Sequence, residues 1–396
     1  MSTWFNKANI YLIAWCLYNT QGIFFPKGTL FTQILVLLLL LVSLYYCFVC
    51  NTRYKLPVYF YGLNILLSMF VVYGFFLMFG GYNSMDYSKH VDSFSYLKNI
   101  LLSLLPIYAF FVFFKENQIS SKNFFIWILL FISVATLNYF KNHQEMLIAA
   151  ILNKSKAEEF TNNVGYEFLA IIPACVFLYK KPFLQYLAIG YCMIFMLMAM
   201  KRGAIIIGVV CIIWFMWKNL RQRNIKKKFG LMALSLLLCF VSYHFIKYRM
   251  EDSLLFQERV EKTLEGNSSG RGELYSEFAN YFWNKTTPIQ FIFGSGANAT
   301  LRISSNYAHN DWLEIAVNQG IIGLFFFTLY WLLFIRTLSS KNFDIHTKLA
   351  LQLLFVIYFM KTFFSMSYAS MPIPATFILS YCLVQEKKDE QIVYCN

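Results

Sequence analysis

Three short stretches of this 396-residue chain hold side chains suited to chemistry. Lys201-Arg202-Gly203 puts two cations inside a run that is otherwise apolar from Pro182 to Trp217. Cations there are costly unless they reach the interface or a wet cavity. The bland reading is a short turn whose basic pair snorkels to lipid headgroups; the functional one is an anion site at the membrane surface. The second stretch, Gly266-Asn267-Ser268-Ser269-Gly270-Arg271-Gly272, is a flexible turn that presents an arginine. Such turns let backbone N–H groups approach an anion closely, although most are only turns. The third runs Phe293-Gly294-Ser295-Gly296-Ala297-Asn298, then Ala308-His309-Asn310-Asp311-Trp312-Leu313-Glu314, then Asn318-Gln319-Gly320-Ile321-Ile322-Gly323. Asp311 and Glu314 have the spacing of a helix N-cap with a carboxylate three residues on, which accounts for both acids structurally. His309 then lies just outside a helix N-terminus, a place that favours an anion. Gly320 and Gly323 are expected to allow close helix packing. Arg302, Asn310 and Glu314, in the same region, complete the candidates for substrate binding, together with Lys201, Arg202 and Arg271.

Other reactive types carry less. His90 and His143 fall in outer loops, His244 near a helix end and His346 in an inner loop, and each is expected to be incidental. The nine cysteines sit in or at the ends of apolar stretches. Cys47-x-x-Cys50 has no second pair and no nearby histidine, so packed thiols are expected rather than zinc or redox chemistry. The chain holds no Asp-x-Asp, no His-Glu-x-x-His and no Walker loop. Metal-assisted nucleotide-sugar chemistry and ATP hydrolysis therefore lose their usual signatures, and no metal or cofactor is expected.

The elements that must position these residues follow from composition. Hydrophobic residues make up 58% of the chain and charged ones 14%; mean hydropathy is +0.51. So few charges cannot cover a soluble globule of this length, and disorder is excluded on the same ground. An all-α polytopic membrane protein is expected. Runs able to span the hydrocarbon fall near 8–25, 29–50, 57–79, 97–114, 123–140, 164–179, 183–200, 204–217, 229–246, 314–335, 349–364 and 371–385, about twelve. Residues 1–246 then form nine transmembrane helices with short loops, 247–313 one large polar loop, and 314–396 three more helices and a short tail. No cleavable signal peptide is expected. With the N-terminus inside, the inner short loops carry about twice as many Lys and Arg as the outer ones, the strongest run being Lys218–Lys228. Both termini are therefore expected in the cytoplasm and the large loop outside. Loops of that length on a rigid scaffold tend to carry function. The net charge of +14 fits membrane lipids as partners, and nucleic acid is not expected.

The Gly-x-Gly, the Ala-His-Asn-x-x-Leu-Glu and the Gly-Ile-Ile-Gly-Leu, with the mid-chain Arg202-Gly203 and the glycine-arginine turn, resemble the O-antigen ligase and O-antigen polymerase superfamily of bacterial envelope glycosyltransferases. The likeness spans about residues 195–325; the N-terminal half agrees only in hydropathy. Lys201 stands where many relatives have serine. The resemblance implies a GT-C-like fold of about twelve helices with one large periplasmic loop, in the bacterial inner membrane. It also implies a donor oligosaccharide on undecaprenyl diphosphate, held on the periplasmic side. A sugar hydroxyl attacks the anomeric carbon and the lipid diphosphate leaves. The family's diphosphate-binding arginines carry over to Arg202 and Arg271 and its histidine to His309, as base. Arginine suits the leaving group because its planar fork binds phosphate bidentately and keeps its charge. Arg202 and Arg271 are then expected on one cavity, and a histidine beside two arginines is expected to be neutral at pH 7.

Within this class a polymerase joining repeat units is preferred. A ligase moving the glycan to lipid A core, or transfer to protein serine, is the alternative. A chain-length regulator is a conceivable polymerase partner. A transporter is less favoured because no internal repeat is visible, and a purely structural subunit less still.

Overall fold

The apolar runs form helices because a backbone in hydrocarbon must satisfy its own N–H and C=O groups. The computed structural model describes residues 6–79, 93–151, 162–221, 271–304 and 306–385 (366–367 and 369–370 excepted), with isolated residues between 240 and 248. The expected span at 229–246 falls almost wholly outside the described residues, and so do 249–270 of the large loop.

Fifteen helices cover the described residues. They are α1 (Lys7–Asn19), α2 (Leu30–Arg53), α3 (Val58–Phe79), α4 (Ser93–Leu104), α5 (Pro106–Lys115), α6 (Ser121–Ile151), α7 (Gly165–Ile171), α8 (Pro182–Met198) and α9 (Arg202–Arg221). Then come α10 (Arg271–Asn280), α11 (Pro288–Phe293), α12 (Ala299–Ser304), α13 (Asp311–Leu338), α14 (Ile345–Phe364) and α15 (Ile373–Val384). No strand occurs among the described residues. Among the described residues, seven helical stretches are long and apolar enough to cross a membrane, and Gly165–Leu178, Pro182–Met198 and Ile373–Val384 are shorter apolar helices. These features make the chain an all-α polytopic membrane protein.

Some expected spans are built differently. The one at 8–25 ends early: α1 is 13 residues long, and Thr20 closes it by donating its N–H to the Cys16 and Leu17 carbonyls. Gly22 then turns the chain at φ +82. The span at 97–114 is two helices, because Pro106 cannot continue the hydrogen-bond ladder of α4. Helix α7 tightens into a 3₁₀ helix from Ile172 to Leu178 at Pro173.

The faces match a lipid solvent. On α2, Leu30, Ile34, Leu37, Leu41 and Phe48 are exposed, whereas Leu35, Leu39, Tyr46 and Cys50 are buried. One large apolar core joins α1–α9 to α13–α15, dense in edge-on aromatic pairs. A second, small core holds Phe278, Phe282, Ala299, Ala308, Ala316 and Val317. It seats α10 and α12 on the first turns of α13, so residues 271–313 fold onto the bundle.

Helix α13 is broken at Gly320, which has φ 67 and ψ −160. The break turns its preceding carbonyls outward, where the loop after α11 takes them up. Ser295 N donates to Val317 O at 2.9 Å and Gly296 N to Asn318 O at 3.0 Å. The Tyr73 hydroxyl donates to Gln319 O at 3.3 Å and to the Phe293 carbonyl. Gly320, expected as a close-packing position, packs closely against the Gly294 backbone and also breaks the helix.

Candidate active site

His309 stands in the loop that enters α13. Asn310 is the N-cap, its side-chain oxygen accepting from Trp312 N at 3.0 Å and Leu313 N at 3.3 Å. The cap thus lies one residue before the expected Asp311, which is the first helical residue and is fully buried. His309 has φ 53, a left-handed conformation that few side chains adopt. Strained residues of this kind cluster where function fixes them, and Met200, just before Lys201, shares the feature at φ 51.

Glu314 holds this loop in place and is also fully buried. It accepts from the Thr300 hydroxyl at 2.5 Å, Ala308 N at 2.8 Å and Asn318 Nδ2 at 3.1 Å. Asn318 in turn accepts from Thr300 N at 3.3 Å. One carboxylate therefore ties α12, the residue before His309, and α13 together. These bonds give Glu314 an internal role and Asn310 a capping one.

The cations approach from two other elements. Arg271 opens α10 and donates from Nη1 to Phe364 O, the last residue of α14, at 3.1 Å. One turn on, the Tyr275 hydroxyl donates to Phe363 O at 3.2 Å and His309 O at 3.4 Å. Arg202 opens α9 beside Gly203, where a Cβ would lie 3.1 Å from the Phe364 Cβ. Arg202 and Arg271, about 70 residues apart in sequence, thus border the same end of α14. Lys201 sits in a turn held by Asn162 N donating to Ala199 O at 3.0 Å. Gly165 packs against that turn, with room for a Cβ only 3.1 Å from the Ala199 Cβ and 3.5 Å from the Lys201 Cβ.

His309 is half-buried. Its pKa is lowered from the ordinary value of 6.5, first by burial and then by the positive charges of Arg271 and Lys201. The lowering was expected from two arginines; the cations that act are one arginine and one lysine. A histidine so placed is neutral at pH 7 and able to accept a proton. The Nη2 of Arg302 donates to the Ser295 carbonyl and so helps hold the glycine loop.

Two residues of the site, Lys361 and Tyr166, had no place in the sequence reading. Lys361, inside α14, is 3% exposed, and its ammonium lies 5.0 Å over the ring of Tyr166. It feels the Asp311 carboxylate and the Lys201 ammonium. The signal that could have found it is a lysine within an apolar run. Tyr166 has no such signal; only folding brings it beside Gly203 and within the field of Arg271. No group of three or more His, Cys, Asp or Glu suited to a metal ion occurs among the described residues.

The fold and this end of the bundle define an integral membrane protein with a cationic, histidine-bearing site. Residues 187–328 match the family model described as O-antigen ligase, so this segment of the chain is similar to that family. The matched segment contains Lys201, Arg202, Arg271 and His309. No curated protein and no solved structure matches the chain.

Proposed function

We propose that this protein is a polysaccharide polymerase that joins oligosaccharide repeat units carried on undecaprenyl diphosphate, on the periplasmic side of the inner membrane and without a metal ion. The observation that carries the reading is the convergence of Arg271 and Lys201 on half-buried His309, with Arg202 at the same end of α14. A diphosphate is already a good leaving group, so the task left to the protein is to hold its charge and to take one proton. Arg202, Arg271 and Lys201 hold the phosphates. The imidazole of His309 takes the proton of the acceptor hydroxyl as that oxygen bonds to the anomeric carbon. The bond from that carbon to the phosphate oxygen breaks, and its electron pair leaves with the lipid diphosphate.

The family match fits a ligase equally well, since donor chemistry is shared and only the acceptor differs. The compact chain, rich in Phe and Tyr and poor in Pro, is the reason for preferring a polymerase. The test is purified protein in lipid nanodiscs given synthetic undecaprenyl-diphosphate repeat units, with or without lipid A core. A ladder of lengthening glycans on the lipid diphosphate, with release of free undecaprenyl diphosphate, is expected without any core acceptor. Transfer seen only when lipid A core is added identifies a ligase. Release of no lipid diphosphate in either case overturns the reading.

A further inference from the structure

A second chamber opens beside the cations. It is a cavity of about 410 Å³, within the size range of small-ligand sites. Its wall comes from the C-terminal ends of α1 and α14, the N-terminal ends of α7 and α15, the middle of α6, and from α4. It therefore lies at the end of the bundle where α9 and α13 begin, the end that holds His309. Four asparagines line it, Asn19, Asn99, Asn142 and Asn163, together with Glu167 and the aromatic rings of Trp15 and Tyr18.

This donor set has a chemical meaning. Amides and a carboxylate offer both donors and acceptors to hydroxyl groups, and flat aromatic faces suit the C–H faces of a sugar ring. No arginine lines the chamber among the described residues, so nothing there forks a phosphate. Two of its wall residues, Tyr166 and Lys361, belong equally to the cationic site. Tyr166 lies in the field of Arg271, and Lys361 in the fields of Asp311 and Lys201.

We infer that this chamber binds the acceptor glycan, the sugar whose hydroxyl attacks, while Arg271, Arg202 and Lys201 hold the donor's diphosphate. The inference rests on the proposed glycosyl transfer and adds where its second substrate sits. Tyr166 and Lys361 form the boundary across which the acceptor hydroxyl reaches the donor. Lys361, capped by the Tyr166 ring, adds a cation to that boundary and helps keep the transferring centre electropositive.

The test separates the two substrates by using a lipid-free repeat-unit oligosaccharide as acceptor with the lipid-diphosphate donor held saturating. Asn99→Ala and Glu167→Ala each remove one polar partner from the wall, and thermal unfolding verifies that they fold. Each is expected to raise the acceptor KM about tenfold or more, the loss of a hydrogen bond to a sugar. Binding of fluorescent undecaprenyl-diphosphate donor stays within about twofold. An unchanged acceptor KM in both variants, with wild-type transfer intact, overturns the acceptor chamber and leaves the transfer reading standing. Weakened donor binding with an unchanged acceptor KM also overturns it and gives the chamber to the donor's sugars. Wild-type protein that binds the free oligosaccharide but releases no lipid diphosphate overturns the transfer reading instead.

Discussion

Gly294 and Gly320 meet backbone to backbone. A Cβ on Gly320 would lie 2.5 Å from Gly294 N and 2.5 Å from the Ile292 carbonyl oxygen, and a Cβ on Gly294 would overlap the Asn318 carbonyl. Both residues have positive φ, 81 and 67. This contact lets the Ser295–Gly296 segment bond the broken turn of α13. Through Asn318, Thr300 and Glu314 it bears on where His309 stands. The Gly-x-Gly and the Gly-Ile-Ile-Gly of the sequence are thus two halves of one joint.

Gly320→Ala is expected to lower stability by at least about 1–2 kcal/mol from the left-handed backbone alone, with further loss from overlap. Thermal unfolding in detergent measures it. Gly208→Ala is the control, since its Cβ would press on the flexible end of Met196 at 2.8 Å and otherwise make an ordinary contact with Leu169. Equal melting temperatures for the two variants would contradict the joint.

Thr300→Val removes the hydroxyl that bonds Glu314 while keeping the side chain's shape. The expected cost is about 1–2 kcal/mol, with a fall in transfer rate greater than the loss of folded protein, because Ala308 and the adjacent His309 lose part of their anchor. The comparison is turnover per folded molecule alongside melting temperature. A loss of stability with unchanged turnover would show that Glu314 supports the fold but not the site.

The pH dependence of transfer follows from His309. Its pKa is depressed, so the neutral base persists at pH values below 6.5, and the acid limb of kcat/KM lies under that value. Removing a neighbouring cation raises the pKa. Lys201→Gln should therefore move the acid limb toward higher pH. The sign is fixed by the charge: a limb that moves down, or stays, shows that Lys201 does not act on the titrating group.

Arg271→Lys keeps the charge and loses the fork. Arg271 uses one terminal nitrogen on Phe364 O and has further N–H groups for a phosphate. A lysine cannot hold α14 and the diphosphate together in this geometry. Activity is expected to fall at least about tenfold, and activity near wild type would remove the bidentate role.

Much of this arrangement was legible before folding. The apolar runs 57–79 and 314–335 read as helices because hydrocarbon leaves the backbone no other option, and the helices there are Val58–Phe79 and Asp311–Leu338. His309 read correctly as the residue outside a helix N-terminus, because capping chemistry is local, although the cap itself is Asn310 and not Asp311. The break at Gly320 was hidden, since a glycine in an apolar run looks the same whether or not it breaks the helix. The bonds of Arg302 and Glu314 were not legible, because their partners Ser295 and Thr300 are set by tertiary contacts. Lys361 and Tyr166 could not be joined from sequence, since nearly two hundred residues separate them.

The most direct measurement is turnover per folded molecule of His309→Gln on undecaprenyl-diphosphate donor. Glutamine retains a hydrogen bond but takes no proton. The account predicts a fall of about a hundred- to ten-thousand-fold, the cost of losing a general base, with melting temperature and donor binding close to wild type. Turnover within about threefold of wild type would contradict it, since His309 would then be no base.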